Sequence, residues 1–398
     1  MLSIDKLPVP PELEANLIRW RRHVHQHPEL SEQEFKTAAY VEAELRAMGI
    51  DEVESLSPTS RVAWIRGQGQ AESGGNRVIA LRADMDALPV PEATGFAFAS
   101  ENPGVSHACG HDGHIAIQLG AASILMQCRS SFSGSVKLIF QPAEEKAPGG
   151  ARELVDLGVM DGVDAISGLH IMNDPVGMIR VCTDRAASTA SDSCWIDIEG
   201  CGSHGSMPQK GIDPVMVGAE VVMALQTIVS RSISPDRFAV VSPTIFQAGD
   251  VINAIPQRAK LGVNIRTKNA DDRVKVRERT EALARGIAEA NGAHADISWH
   301  EGCPAIEQDP AMIERALRVA KAVQPEGLTA TGHGMFASED FSFMAEKAPA
   351  VYVILGGGTA EEGCPYANHH PAFRFDERCL LAGARYQAAI ALDYLINP

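Results

Sequence analysis

Residues 106–116 read SHACGHDGHIA: three histidines, one cysteine and one aspartate in eleven positions, running into an apolar stretch. Cys109 and His111 stand two residues apart, and thiolate and imidazole are ligand types for zinc and other borderline divalent metals. Alone, such groups are as readily packed or capping residues at a helix start. Four more places offer groups of the same kind. QPAEE supplies Glu144 and Glu145 after an apolar run. Adjacent carboxylates are ordinarily a solvated loop, but at the end of a core strand one can bind metal while the other moves a proton. SGLHI supplies His170, which in an apolar strand reads equally as a satisfied core histidine. ADMDAL supplies Asp84 and Asp86, on one face of an extended chain, and NHHPAF supplies His369 and His370. Chance explains each site alone, but not their recurrence at separate strand ends. The chemistry that such a set offers is metal-assisted activation of water.

The elements that would present these groups follow from periodicity. Residues 12–27 and 31–48 read as helices, the second opening on a Ser31-x-x-Glu34 capping box and closing on Gly49. RVAWIRG and NRVIALRADMDAL read as strands, HIAIQLGAASILMQC as a helix, GSVKLIFQPAEE as a strand, ELVDLGVM as a short helix and AISGLHI as a strand. Strand and helix alternate, and the chemistry collects at strand C-termini, the layout of an open, mostly parallel α/β sheet with its site at the carboxyl edge. From residue 186 the order changes to βαββαβ: SDSCWIDIEG, helix 213–231, AVVSPTIFQAG, AKLGVNIRT, helix 271–291 and HADISWHEG. This order predicts a ferredoxin-like α+β sandwich. Helix 310–323, strand AVYVILGGG and helix 376–396 then resume the first style. The expected organisation is a catalytic domain of residues 1–185 and 299–398, interrupted by a small lid or dimerisation domain of residues 186–298.

Composition narrows the function classes. The 398 residues carry a formal net charge of −16, with 45% hydrophobic and 22% charged residues. That balance suits a globular enzyme and argues against nucleic acid, which needs a basic patch. No apolar run reaches the roughly 18 residues needed to span a bilayer, so no membrane association is expected. The N-terminus lacks a basic segment followed by an apolar one, and the eight cysteines contain no C-x-x-C pair. A cytoplasmic protein with reduced thiols is the expectation. GGG at 356–358 lacks the spacing of a dinucleotide loop.

Taken together, LRADMDALPV, SHACGHDGHIA, QPAEEKAPGGARELVDLGVMDGVDAISGLHI, GCGSHGSMPQKGIDP, GDVINAIPQ, ASEDFS and NHHPAFRFDE resemble the two-metal amidohydrolase and metallopeptidase family of hippurate hydrolase, N-acyl-amino-acid amidohydrolase and indole-acetyl-amino-acid hydrolase. Aminoacylase and carboxypeptidase G are more distant relatives. The resemblance spans nearly the whole chain. It implies two divalent ions per subunit, Mn²⁺ or Zn²⁺ foremost and Co²⁺ or Ni²⁺ as alternatives. It implies the ligands Cys109, His111, Glu145, His170 and His369, with Cys109 shared between the ions and His369 favoured over His370 by the family's H-x-P spacing. The distant relatives bridge with a carboxylate and carry histidine where Asp84 stands. Glu144 would be the general base, while Asp86 and His114 would orient ligands through hydrogen bonds. His204, in the loop GSHGSMP, would steady the oxyanion, in cis or in trans. Asn253 would add an amide donor, Arg266 would grip a substrate carboxylate, and Ser338–Ser342 would wall the pocket, with Glu339 a contact to substrate or ligands. The implied activity is hydrolysis of an N-acyl-amino acid to a carboxylic acid and a free amino acid by a homodimer joined through the small domain. The rivals are a dipeptidase, aminopeptidase or carboxypeptidase on the same scaffold and, outside enzymes, a metal- or peptide-binding module. The second rival gives Glu144 no role.

Overall fold

The structure is a computed structural model that describes residues 4–69, 77–324 and 326–397; Asn76, the first residue of the expected strand NRVIALRADMDAL, lies outside them. The chain forms two compact units. The first comprises residues up to Ala187, Ile306–Gly334 and Asp340 onward, and the second Ser188–Ala305 with Met335–Glu339. The borders fall later than 185/186 and 298/299, because the strand His294–Glu301 pairs along its whole length inside the second unit.

The first unit is built on an eight-stranded sheet in the order Val53–Glu54, Arg61–Arg66, Ser135–Gln141, Val78–Asp84, Ala165–Met172, Ala350–Gly356, Ile179–Cys182, Thr329–Thr331. The four central strands from Ser135–Gln141 to Ala350–Gly356 are mutually parallel; Arg61–Arg66 and Ile179–Cys182 flank them antiparallel, and Thr329–Thr331 pairs in parallel with Ile179–Cys182 at the far edge. These strands are covered on both faces and are therefore largely apolar, with Arg82 and Lys137 buried among the apolar positions; Ser135–Gln141 and Ala350–Gly356 are buried at every position. Because they are parallel, Asp84, Gln141 and His170 reach the same edge.

Helix His111–Gln127 packs against Leu13–Gln26 and Cys379–Ile396. All but three of its 17 residues are buried, which is why HIAIQLGAASIL carries no polar stripe. The expected capping box is absent. The second helix starts at Phe35, not at residue 31, and its first turn receives no capping bond from Ser31 or Glu34. Glu29 instead accepts from the Lys36 and Thr37 amides at 2.9 and 2.8 Å, and Gly49 follows the helix with φ 81°. The closing helix likewise begins at Cys379, not at residue 376.

The second unit has a four-stranded antiparallel sheet ordered His294–Glu301, Ala190–Glu199, Arg258–Thr267, Ala239–Ala248. In chain order this is 4-1-3-2, the ferredoxin-like arrangement. Helices Pro214–Thr227 and Ala270–Ala290 pack on it through Val217, Val221, Leu225, Val276, Ala284 and Ala288. Asp213 and Asn269 cap these helices through their side chains. The segment Pro214–Ser232 is long and apolar enough to cross a membrane by length and composition, contrary to the expectation that no run would be; its buried side rests on the sheet.

One prediction tests the packing beneath the site. A Cβ on Gly120 would lie 2.7 Å from a Leu17 methyl and 2.8 Å from Ala384 Cβ. Gly120→Val gains helix propensity but overpacks this crossing, so stability should fall by about 1–3 kcal/mol, read as a lower denaturant midpoint. An unchanged midpoint would show that the crossing has slack.

Candidate metal centre

The parallel strands deliver Asp84, Gln141 and His170 to one edge, and the turns beyond them add Asp86, Glu144 and Glu145. Gly110, at φ 90°, turns the chain between Cys109 and the helix that begins at His111. A hydrogen bond of 2.7 Å from the His369 amide to the Ala108 carbonyl ties the C-terminal loop to the same place. The structure thus brings together all five residues that the resemblance proposes as ligands. Their donor atoms form overlapping groups, each within 4.8 Å: Cys109, His111 and His170; Cys109, Glu145 and His369; and His111, Glu144 and Glu145. Cys109 belongs to both the first and the second.

Hydrogen bonds decide which atoms face the cluster. His111 Nδ1 lies 2.9 Å from the Asp86 carbonyl and must carry the proton; its buried Nε2 has no hydrogen-bond partner among the described residues. His170 Nδ1 donates to the Ile171 carbonyl at 2.8 Å, leaving Nε2 3.4 Å from Cys109 Sγ. His369 Nε2 lies 3.1 Å from Glu145 Oε1. His370 is turned elsewhere: it stacks on Tyr366 and accepts from the Ala372 amide. His114 has no ligand atom to offer, because Nδ1 donates to Asp84 at 2.6 Å and Nε2 accepts from the Ile171 amide at 2.9 Å. His107 is buried outside these groups, and burial lowers its pKa to about 4, which keeps it neutral.

Two carboxylates frame the cluster. Asp86 accepts from the Glu144 and Glu145 amides at 3.1 and 3.0 Å and from Ser31 Oγ at 2.6 Å. Burial would raise its pKa, but bonds from His111 and Ser31 hold it below the usual range. Asp84 is held lower still, against burial, by His111, His114 and Arg82, whose guanidinium lies 2.6 Å away. Sequence reasoning missed Arg82 and Asn368. Arg82 also reaches Gln141 and Asp340. Asn368 donates to the Cys109 carbonyl at 3.1 Å and lies 3.9 Å from its sulfur. The signal for Arg82 was its position two residues before Asp84 in a buried strand.

These residues fit a pair of divalent cations. Burial, then Glu145, raises the Cys109 pKa, so the thiolate needs a nearby cation. Burial drives the His170 pKa well down, which leaves a neutral imidazole ready to ligate. His369 is pulled up to about 10 by hydrogen bonds with Cys109 and Glu145, a sign of the negative charge gathered at this point.

Of the remaining candidates, His204, Asn253, Arg266 and Glu339 all fall in the second unit. His204 and Asn253 are exposed neighbours: His204 pairs with Ala254, and the Gly205 amide donates to the Asn253 carbonyl. Their hairpin adjoins the Arg258 end of the strand Arg258–Thr267 through Gly200 and Gln257. Arg266 lies eight residues along that strand, about 26 Å at 3.3 Å per residue, where its guanidinium bonds the Ile265 carbonyl. The unit therefore presents the donor pair and the arginine at opposite ends.

Behind the Cys109 turn, His25 sits between Asp112 at 2.9 Å and Glu92 at 3.1 Å. Glu92 also accepts from Thr94 and from the Ser100 amide, organising the loop before Cys109. Burial opposes its ionisation, but bonds from His25, Thr94 and Ser100 prevail and hold its pKa at about 2 against an ordinary 4.5. A depressed carboxylate stabilises the fold above its unfolded pKa and loses that contribution as pH falls to its folded one. Glu92→Gln should therefore lower stability at pH 7 and flatten the decline of Tm between about pH 4.5 and 2. Parallel melting curves for the two proteins would refute this assignment.

Residues 80–393 match the model of peptidase family M20/M25/M40. The chain is 39% identical to an N-acetylcysteine deacetylase of Bacillus subtilis (strain 168) over 384 residues, covering 96% of this chain and 97% of that one. It is 42% identical to an N-acyl-L-amino acid amidohydrolase of Geobacillus stearothermophilus over 319 residues, covering 79% and 84%. Among solved structures it superposes with a TM-score of 0.83 on a Bacillus subtilis protein described as a dinuclear metal binding peptidase, at 34% identity and with 97% and 99% of the chains covered. Family, fold and ligand-type groups agree: this chain belongs to peptidase family M20/M25/M40, a family of hydrolases.

Proposed function

We propose that the protein is a two-metal amidohydrolase that cleaves N-acyl-amino acids to a carboxylic acid and a free amino acid. The single observation that carries this reading is the pair of ligand groups sharing Cys109, with the second carboxylate, Glu144, beside them. The relatives that act on N-acyl-amino acids support the substrate class. Cys109, His111 and His170 would hold one ion, and Cys109, Glu145 and His369 the other. Ions held there would lower the pKa of a bound water and polarise the amide carbonyl. Glu144 takes the water proton on its carboxylate and returns it to the departing amine nitrogen. Asp86 keeps both glutamates in place through their amides. A chelator should abolish activity and Mn²⁺ or Zn²⁺ restore it; full turnover in a preparation shown metal-free by elemental analysis would end the proposal. Glu144→Gln should retain metal and lose ~10²–10⁴-fold in kcat, whereas Glu145→Gln should lose metal. Wild-type turnover by Glu144→Gln would overturn this division of labour. N-acetyl, N-benzoyl and indole-acetyl amino acids, assayed beside free dipeptides with Mn²⁺, Zn²⁺, Co²⁺ and Ni²⁺, test the substrate class; turnover of dipeptides alone would favour a peptidase.

The second unit is proposed to pair with its copy in a homodimer. Its sheet has an edge strand at Ala239–Ala248, and Met216, Met223 and Phe246 are 58%, 70% and 43% exposed. Unpaired edges and apolar patches of this kind invite a second copy. The separation of Arg266 from His204 and Asn253 supports use of the two ends by different sites, with His204 acting in trans on the developing oxyanion. His204→Ala should then cut kcat by roughly 10²–10³-fold at unchanged metal content. In a mixed dimer of one Glu144→Gln chain and one His204→Ala chain, action in trans leaves one intact site and about half the wild-type rate, because one composite site carries both defects. Near-complete loss would place His204 in cis, and a fully active His204→Ala enzyme would remove it from the mechanism.

A further inference from the structure

Ser31 and Glu34 are spaced as a capping box, yet neither side chain bonds the helix. Ser31 Oγ donates to Asp86 Oδ2 at 2.6 Å, and Glu34 Oε1 accepts from the Ala143 amide at 2.7 Å. Glu34 is completely buried, and its second oxygen has no hydrogen-bond partner among the described residues. The segment between them runs along the same turns. Leu30 bridges Ala87, the Ala87 amide donates to the Glu29 carbonyl, and Glu32 pairs with Lys146. Residues 29–34 thus grip the chain on both sides of Glu144 and Glu145.

Backbone conformation gives an independent sign. Among the described residues, the non-glycine positions with left-handed φ are Glu32 at 67°, Ala143 at 56° and His369 at 70°. His369 belongs to the candidate ligand set, and the other two belong to this contact. A left-handed alanine is disfavoured and persists only where its surroundings over-determine it. Here the amide of Ala143 is held by Glu34, its carbonyl accepts from Gly150 at 2.9 Å, and the next two amides bond Asp86.

We propose that Ser31 and Glu34 are positioning residues of the metal centre: Ser31 orients the Asp86 carboxylate, and Glu34 holds Ala143 in its left-handed turn so that Glu144 and Glu145 face the ligand cluster. The inference rests on the metal-centre reading above. What the turn needs from Glu34 is an acceptor at the right reach, not a charge. Burial, helped by Asp86, lifts the Glu34 pKa to about 7, so a neutral acid with its proton on the unpartnered oxygen still serves.

Two substitutions separate reach from charge. Glu34→Gln keeps the length and the acceptor and removes the charge; Glu34→Asp keeps the charge and shortens the reach. Zn²⁺ affinity, measured by competition with a chromogenic chelator, is the readout, with Tm as the check on folding. Glu34→Gln should bind Zn²⁺ close to wild type, and Glu34→Asp should lose about 10–100-fold, the range for groups that orient metal ligands. Adding Ala143→Gly to Glu34→Asp should recover most of that loss, because glycine adopts the left-handed turn unaided. Wild-type affinity in folded Glu34→Asp, or a loss in Glu34→Gln as large as in Glu34→Asp, would overturn the proposal while leaving the metal-centre reading intact. Wild-type protein that binds no Zn²⁺ or Mn²⁺ would overturn both. Should Glu34→Asp not fold, Ser31→Ala carries the test: it must weaken Zn²⁺ binding at unchanged Tm, and unaltered affinity overturns the proposal.

Discussion

Buried negative charge is the constraint on which the first unit depends. Asp84, Asp86 and Cys109 are all buried at one end of the sheet, with Glu145 partly buried beside them. A carboxylate removed from water is tolerated only with cations or several donors around it. The chain supplies these unequally. Asp84 has Arg82 and His114, and Asp86 has two amides and a serine. Around Cys109 and Glu145 the protein offers histidines, one of which is drawn to protonate. The frame is compensated from within, whereas the centre is left with donors that suit a cation from outside. This difference separates the residues that hold the site's shape from those that would hold metal.

The fold serves the same division. Parallel strands must end together, so a single edge receives the groups of several strands without any long loop having to reach them. The helix that begins at His111 is buried almost all round, which fixes the directions of His111 and His114 through packing. Hydrogen bonds then settle what packing leaves open: the Asp86 and Ile171 carbonyls take the Nδ1 protons of His111 and His170 and turn the other nitrogens inward.

Much of this was legible in the sequence, for identifiable reasons. Continuous apolar runs ending in carboxylates reported buried strands and their functional ends together, and the βαββαβ order gave the second sheet. The contributions of Ser31 and Glu34 were not legible, because their partners lie 55 and 109 residues away. A capping box is a local pattern, and Ser31-x-x-Glu34 satisfies it in spacing; only the tertiary structure shows both side chains serving distant turns. The H-x-P spacing favoured His369 over His370 only through the family resemblance; the physical reason is tertiary. It depends on a left-handed backbone at His369 and on Tyr366, which takes the neighbouring ring.

The Asp84 carboxylate is engaged by Arg82 and His114. His114, with both nitrogens committed, ties Asp84 to the Ile171 amide, next to His170. Asp84 is thus part of the frame, while Cys109 is common to two of the ligand-type groups. One group then combines sulfur with two imidazoles, and the other combines sulfur with an imidazole and a carboxylate. Softer donor sets favour zinc-like ions, and carboxylate oxygen accommodates manganese. The two groups are therefore chemically unequal, because one closes with a second imidazole where the other closes with a carboxylate.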